Sequence, residues 1–355
     1  MTVFALTTAK SPGVTTSALA LASVWPGGRL LLAECDMAGG TVLAGYRQGQ
    51  HAPEGLTAAA RRALRGGLTA EQLLECTVDI SDNGSVRLLP GMVDQAQARN
   101  VAAAATSLGR AFTQLGLDPD PVDVLADCGR LSTSGFLTPV LAAADVVALV
   151  VRPQRPDLVT LAEWAPRLRE QLAAAQGPAP AVGILIVGPR GYSRSEVQSY
   201  FGQFGMPVWG ELAEDRATAA FFAGEGAAPR GGLVRAPLPR SAAGVAAALV
   251  GVAEQRRRLL AGTSRPAGAR PEPPPPPMPV PPAAPASAPA AQTPAAQTPA
   301  AQPPAPAPPV GAPGLESSLT PAMTPASPSR RRGSTPPPAL SERGGTADAA
   351  DGAVA

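Results

Sequence analysis

Lysine is almost absent from this 355-residue chain: Lys10 is the only one, and every other fixed positive side chain is an arginine. Histidine occurs only as His51, and cysteine as Cys35, Cys76 and Cys128. A zinc site of closely spaced Cys and His is excluded by that spacing. The few, odd-numbered cysteines argue against a disulfide framework and fit a reducing compartment. Aromatic residues make up only 4 % of the chain, so a core must be built mostly from Leu, Val and Ala. The net charge of +2 supplies no field that would by itself demand nucleic acid or an acidic membrane. No basic stretch followed by an apolar run and a cleavage site opens the chain. The stretch Val140–Val151 is apolar but too short to span a bilayer, and it carries Asp145. A soluble, cytoplasmic protein is expected.

What is present divides near Gly262. Beyond it the chain is Ala, Pro, Ser, Gln and Thr, with a proline run and a repeated Ala-Ala-Gln-Thr-Pro unit. Proline removes backbone donors and blocks helix, and little apolar surface is left to offset chain entropy. Residues 263–355 are therefore expected to be a disordered tail, partly polyproline II. Its cluster Arg330-Arg331-Arg332 reads as a solvated charge run.

Residues 1–262 alternate apolar strands with helical segments. Strands are expected at Val3–Leu6, Arg29–Ala33, Val86–Leu89, Val122–Ala126, Val146–Val151, Val182–Val187 and around Val208. Helices are expected at Thr15–Val24, Leu56–Arg65, Thr69–Glu75, Asp94–Leu115, Asp157–Ala175, Ser193–Phe204 and Ser241–Leu260. Continuous Val/Leu/Ile runs separated by helices indicate a doubly wound α/β fold, a mostly parallel sheet flanked by helices. Such sheets bind ligands at the carboxyl ends of their strands. Lys10, Asp36 and Asp127 all fall there.

The segment around Lys10 has the features of a phosphate loop. A P-loop points backbone N–H groups at phosphates with a helix N-terminus behind them, a lysine neutralises the phosphates, and a Ser/Thr hydroxyl holds Mg²⁺. Gly13 and Thr15 occupy the last glycine and the Mg²⁺-hydroxyl position of G-x-x-x-x-G-K-[ST]. Thr8 replaces the first glycine, and Val14 replaces the lysine. A compact lysine at Lys10, in a chain that otherwise uses arginine, suggests a phosphate contact. The acidic strand ends Glu34-Cys35-Asp36 and Asp127-Cys128-Gly129 supply the carboxylates that a Mg²⁺-nucleotide site needs.

With these pieces in order, the first 260 or so residues resemble the ParA/MinD family of deviant Walker A P-loop ATPases. Ser11-Pro12-Gly13-Val14-Thr15-Thr16 is similar to the family's K-G-G-x-G-K-[ST]-T loop. Leu30 to Asp36 is similar to its second strand, Val122 to Asp127 to its Walker B strand, Ala144 to Val150 to the strand after that, and Pro207 to Asp215 to a late segment.

The resemblance implies ATP and Mg²⁺, held by Lys10, Ser11, Pro12, Gly13, Val14, Thr15 and Thr16. Thr15, Asp36 and Asp127 would lie around the metal, and Asp36 and Lys10 would take the catalytic roles. The family's second loop lysine reaches across a dimer. Counting back from Gly13 without a gap puts Ala9 at that site, whereas a loop one residue shorter puts Lys10 there.

Val14, Pro12 and the absence of the family's base-reading asparagine, where Gly188-Pro189 stands, imply weak or absent hydrolysis. Losing one phosphate lysine removes several kcal/mol of transition-state stabilisation.

The implied function is a positioning or partitioning switch, as in chromosome partitioning or cell division. It would dimerise through its loop face and recruit a protein partner with its Pro-rich tail. The alternative is a pseudo-ATPase scaffold that positions a secretion or division apparatus. Arg152, Arg155 and Arg167 could contact DNA nonspecifically, as such faces do in the family, although a solvated helix surface also accounts for them. Arg256-Arg257-Arg258 beside Leu259-Leu260 has the form of a basic membrane-binding end, but its apolar face is mostly alanine, and membrane attachment is not expected. Cys35 and Cys128 read as small buried fillers.

Overall fold

The computed structural model describes residues 2–10, 13–50, 55–117, 120–132, 135 and 137–263. Ser11, Pro12, His51 and the Pro-rich tail with Arg330-Arg331-Arg332 lie outside the described residues.

The eight strands are β1 (Val3–Thr8), β2 (Leu30–Glu34), β3 (Val78–Asp79), β4 (Val86–Leu89), β5 (Asp123–Arg130), β6 (Val146–Val151), β7 (Ala181–Val187) and β8 (Val208–Leu212). They form one sheet in the order β3-β4-β2-β5-β1-β6-β7-β8. All neighbours are parallel except the short edge strand β3, which runs antiparallel to β4.

The helices are α1 (Val14–Ala22), α2 (Gly55–Gly66), α3 (Ala70–Leu74), α4 (Ala98–Leu115), α5 (Thr138–Ala143), α6 (Arg155–Ala174), α7 (Arg194–Gly202), α8 (Arg216–Phe222) and α9 (Pro237–Thr263). One face of the sheet is covered by α2, α4, α5, α6 and α7, through Leu56, Phe112, Val140, Leu161 and Phe201. The other is covered by α1, α8 and α9, through Leu19, Phe222, Val245 and Leu249. Alternate β1 residues serve the two layers: Val3 and Ala5 face the first, Phe4 and Leu6 the second. A strand buried on both faces has no polar side to display, which is why its sequence reads as one apolar run.

Local signals account for several boundaries. Thr69 and Ser193 are N-caps with complete capping boxes to Gln72 and Glu196. Asp215 caps α8 by accepting from Thr218 N–H at 3.1 Å.

Three expectations are corrected. The helix expected from Asp94 begins as a 3₁₀ turn, Gln95–Gln97, because Asp94 accepts from Ala96 N–H and tightens the entry before α4. Strand β5 runs on to Arg130, so Asp127 lies within it and not after it. Helices α5 and α8 and strand β3 were not anticipated, being too short to show periodicity.

The reading of Arg256 as part of an exposed basic end is also corrected. Its guanidinium is 2.6 Å from Asp145 Oδ1 and donates to the carbonyls of Pro178 and Ala179 at 2.7 and 3.2 Å. Asp145 Oδ2 in turn accepts from Val3 N–H at 3.1 Å. This network locks α9 to the amino ends of β1, β6 and β7. Arg258 remains exposed, 3.6 Å from Glu254 one turn earlier. No helix among the described residues is long and apolar enough to cross a membrane.

Candidate functional site

The sheet register sets Leu6 of β1, Glu34 of β2 and Asp127 of β5 side by side. The carboxyl ends of the three central strands thus converge where α1 begins. Gly13 caps α1 with φ +107°, a left-handed conformation that L side chains resist, and nothing lies within 4 Å of where its Cβ would be. The first N–H groups of α1 have no partners within the helix, so its start is an open cradle for an anion.

Thr15, in the first turn, donates its hydroxyl to Asp127 Oδ2 at 2.6 Å. Asp127 Oδ1 accepts from Gly129 N–H at 3.0 Å. Burial pushes the Asp127 carboxyl up to about 6; the bonds from Thr15 and Gly129 oppose this, and the charges of Asp36 and Glu34 add to it.

Asp36 is half-buried, and its Oδ1 accepts from Ala38 N–H at 2.8 Å. Its carboxyl packs directly over Gly129, which sits at φ +54° and leaves no room for a Cβ. Asp36 and Asp127 therefore both border Gly129, close enough that the charge of Asp36 bears on Asp127.

Glu34 has a different role. It is buried, and it accepts from Thr41 and Val42 N–H at 2.7 and 2.9 Å and from Gly91 N–H at 3.1 Å. It ties the loop after β2 to the loop after β4, and so fixes the segment that carries Asp36.

Lys10 is exposed, and Thr16 lines a cavity beside α1. Val14, at the P-loop lysine position, is buried in the core beneath the loop, 5 % exposed. The structure thus brings Thr15, Asp36 and Asp127 together and turns Val14 inward.

The residues fit the metal half of a nucleotide site better than the phosphate half. Thr15 and Asp127 form the hydroxyl–carboxylate pair that would hold Mg²⁺ and its water shell, and Asp36 stands beside them. Thr8, where the first loop glycine would be, has a buried hydroxyl with no hydrogen-bond partner among the described residues. A buried polar atom left unpaired at the mouth of a phosphate loop is what a missing acceptor would leave behind. The basic residues nearest this segment are Lys10 in the loop and Arg130 on β5.

Arg130, at the end of β5, donates to the Lys10 carbonyl at 3.1 Å. It was not singled out from the sequence; only its place three residues after Asp127 could have flagged it. A cavity of about 490 Å³ opens from Gly13, Thr16 and Ser17 toward the carboxyl ends of β6, β7 and β8. Arg152 lines it half-buried, which corrects its placement on a solvated helix surface; Arg155 and Arg167 are exposed on α6. Cys35 and Cys128 are both buried in the core layer between the sheet and α2, α4, α5, α6 and α7.

This arrangement defines a P-loop-type α/β domain. No family model matches the sequence, and no curated protein sequence matches it. Solved structures do. A ParA family ATPase from Chlorobium tepidum aligns at 16 % identity over 69 % of this chain and 97 % of its own, TM-score 0.50. The cell division ATPase MinD from Pyrococcus furiosus aligns at 15 % over 71 % and 99 %, TM-score 0.52. An ATP complex of a McdA variant from Cyanothece aligns at 14 % over 72 % and 95 %, TM-score 0.51. At these identities the likeness is one of fold: the chain has the ParA/MinD fold.

Proposed function

We propose that residues 1–262 form a nucleotide-dependent positioning or partitioning switch that binds a nucleoside triphosphate with Mg²⁺ and hydrolyses it weakly or not at all. The observation that carries this reading is the 2.6 Å bond from Thr15 to Asp127 beneath the left-handed Gly13 cap. This contact supports the metal side of the reading, in a fold that a McdA variant from Cyanothece, described with ATP, also has. Val14 buried in the core is what removes fast hydrolysis, because no charge from that position reaches the phosphates. Lys10 and the N–H groups of α1 bind phosphate, and Thr15, Asp36 and Asp127 hold the metal. Homodimerisation through the loop face and recruitment of a protein partner by tail residues 263–355 belong to the same proposal.

The buried Val14 also favours a second reading, a pseudo-ATPase scaffold with no nucleotide. Thermal melting of the full chain with Mg²⁺, with ATP and GTP in separate arms, decides between them. A ligand that binds only the folded state must raise the melting temperature. A rise that is abolished in Thr15→Ala and reduced in Lys10→Ala supports the switch. No rise with either nucleotide leaves the scaffold.

A further inference from the structure

A groove runs along the last turn of α1, at the end of that helix away from Gly13 and Thr15. It consists of two adjoining cavities, of about 480 and 270 Å³, that share Ala22, Ser23 and Val86 in their walls. None of its lining residues belongs to the site described above. The larger cavity has an apolar floor from Leu19, Ile80, Phe222 and Leu233. Val234 also lines it and is 62 % exposed.

Each cavity is lined by one half-buried aromatic ring held in place by its neighbours. Tyr46, in the larger, packs edge-on against Phe221 and Phe222, with ring centres 5.5 Å apart in both pairs. Trp25, in the smaller, donates from Nε1 to Asp123 Oδ2 at 3.0 Å and meets Phe4 edge-on at 4.9 Å. Ser81 and Asn83 line both cavities. The Ser81 hydroxyl oxygen accepts from Val86 N–H at 2.9 Å, which leaves its own hydrogen to give. Asn83 Oδ1 accepts from the Ser85 N–H and hydroxyl at 3.1 and 2.7 Å, which leaves its NH₂ as a donor. The Tyr46 phenol is a further donor.

Fixed rings with donors between them fit an apolar strand that offers carbonyl acceptors and few N–H groups. That is the chemistry by which aromatic grooves take polyproline II segments. The chain carries such a segment at Pro273–Pro282, where only Met278 and Val280 have a backbone N–H. The segment is also within reach. Arg256 fixes α9 at the amino ends of β6 and β7, and the helix ends at Thr263, about 10 Å further on. The Trp25 end of the groove includes Leu30 at the start of β2, three strands from β6 in the sheet, or about 14 Å at the usual spacing. Residues 264–272 can span up to about 30 Å. A flexible connection of that length holds its segment at a roughly millimolar effective concentration, so even a weak contact is populated.

We propose that Pro273–Pro282 docks into this groove of its own chain, across Tyr46 and Trp25, and that the docked state withholds the proline run from a partner of the tail. The proposal does not depend on whether the chain binds nucleotide.

The test is amide hydrogen exchange read by mass spectrometry on the full chain. It is compared with a full-length variant carrying Pro273→Gly, Pro274→Gly, Pro275→Gly, Pro276→Gly and Pro277→Gly together. Exchange over residues 43–48 and 80–86 should be at least ~3-fold faster in the variant, with β5 and β6 unchanged. Val234→Asp, at an exposed position of the groove, should speed exchange over the same two stretches while the tail keeps its sequence. A synthetic peptide of residues 268–284 should restore protection to the glycine variant and not to Val234→Asp. Melting temperatures equal to that of the wild type would establish that both variants fold.

Equal exchange in the wild type and the glycine variant overturns the proposal. Wild-type protection that is lost on dilution overturns docking within one chain and assigns the occupant to a second copy. Peptide that restores protection equally in Val234→Asp overturns the placement in this groove.

Discussion

The Thr15 hydroxyl lies 2.6 Å from Asp127 Oδ2, so the first turn of α1 is bonded to the middle of strand β5. Asp127 is buried, and a buried carboxylate is costly unless hydrogen bonds and charges balance it. Thr15 supplies one bond and Gly129 N–H the other, while Asp36 nearby adds negative charge. The pair is therefore a polar contact under electrostatic load. A divalent ion there would relieve the repulsion between Asp36 and Asp127 and take Thr15 as a ligand.

Removing the hydroxyl isolates its contribution. Thr15→Ala leaves the Asp127 carboxylate one bond short and should lower stability by roughly 1–2 kcal/mol, with Thr15→Ser recovering most of it. Urea unfolding reads this directly. The same pair of variants read by nucleotide titration with and without Mg²⁺ should show the metal-dependent part of binding lost in Thr15→Ala and kept in Thr15→Ser.

The raised carboxyl of Asp127 gives a pH dependence of known sign. Its folded value, about 6, lies above the ordinary carboxylate range, so between roughly pH 4 and 6 the folded protein holds a proton that the unfolded chain has released. This contribution to stability falls as pH rises through that window and is flat above it. Asp127→Asn should abolish that slope and raise stability at neutral pH by roughly 1–3 kcal/mol in the absence of metal. Stability curves at several pH values compare the two proteins. In the wild type, Mg²⁺ competes with the proton, so metal-dependent nucleotide binding should weaken below about pH 6.

How far the sequence carried this reading depends on the element. The strands that form the sheet centre were legible because burial on both faces leaves an uninterrupted apolar run, as in Val146–Val151, which is a strand over that same span. Thr15 and Asp127 were singled out from loop and strand-end spacing, a local property, and the structure bonds them to each other although β5 runs on past Asp127. Lys10 was noticed as an isolated lysine, but composition says nothing of Arg130, which reaches the Lys10 carbonyl from β5, 120 residues away. Glu34 looked like one more strand-end acid; its partners Thr41, Val42 and Gly91 show a structural brace, and two of them belong to a loop with no pattern to read. Arg256 misled for the same reason. Beside Arg257 and Arg258 it reads as surface charge, and only the fold sets Asp145 against it.

The Arg256–Asp145 pair is only partly exposed, 13 % and 23 % at the two side chains, and is joined to two carbonyls and one backbone N–H. Arg256→Ala leaves Asp145 with less compensation and should cost roughly 2–4 kcal/mol. Asp145→Asn, which keeps acceptor and size, should cost less. A double-mutant cycle by denaturant unfolding should give a coupling energy of roughly 1 kcal/mol or more, whereas the exposed pair of Arg258 and Glu254 should show almost none.

Two of the three cysteines, Cys35 and Cys128, test the packing of the strand ends. Burial pushes the thiols of Cys35 and Cys128 far above their usual range, and the charges of Asp127 and Asp36 add to it. A protonated, enclosed thiol is a poor nucleophile. Native protein treated with a thiol-alkylating reagent at neutral pH should remain unmodified at Cys35 and Cys128, and both should react fully in denaturant. Mass spectrometry of the digested protein locates the label; rapid native labelling of either would mean that the strand ends open readily.

Gly129 separates the role of Asp36 from that of the fold. Its positive φ and the Asp36 carboxyl lying over its Cα leave no place for a methyl group. The obstacle is the end of a half-buried side chain and not the backbone, so Gly129→Ala should displace Asp36 while the sheet survives. The strained conformation should cost roughly 1–2 kcal/mol, a loss the central strands can absorb. The proposed site is affected more, because Asp36 leaves its position near Asp127 and the Gly129 N–H that serves Asp127 shifts with it. Circular dichroism should show a folded protein with a modestly lowered melting temperature, while Mg²⁺-dependent nucleotide binding falls by an order of magnitude or more. Asp36→Ala provides the control, since it vacates the same position without strain. Equal losses of metal dependence in the two variants would assign the effect to Asp36, whereas full binding in Asp36→Ala would remove it from the metal site.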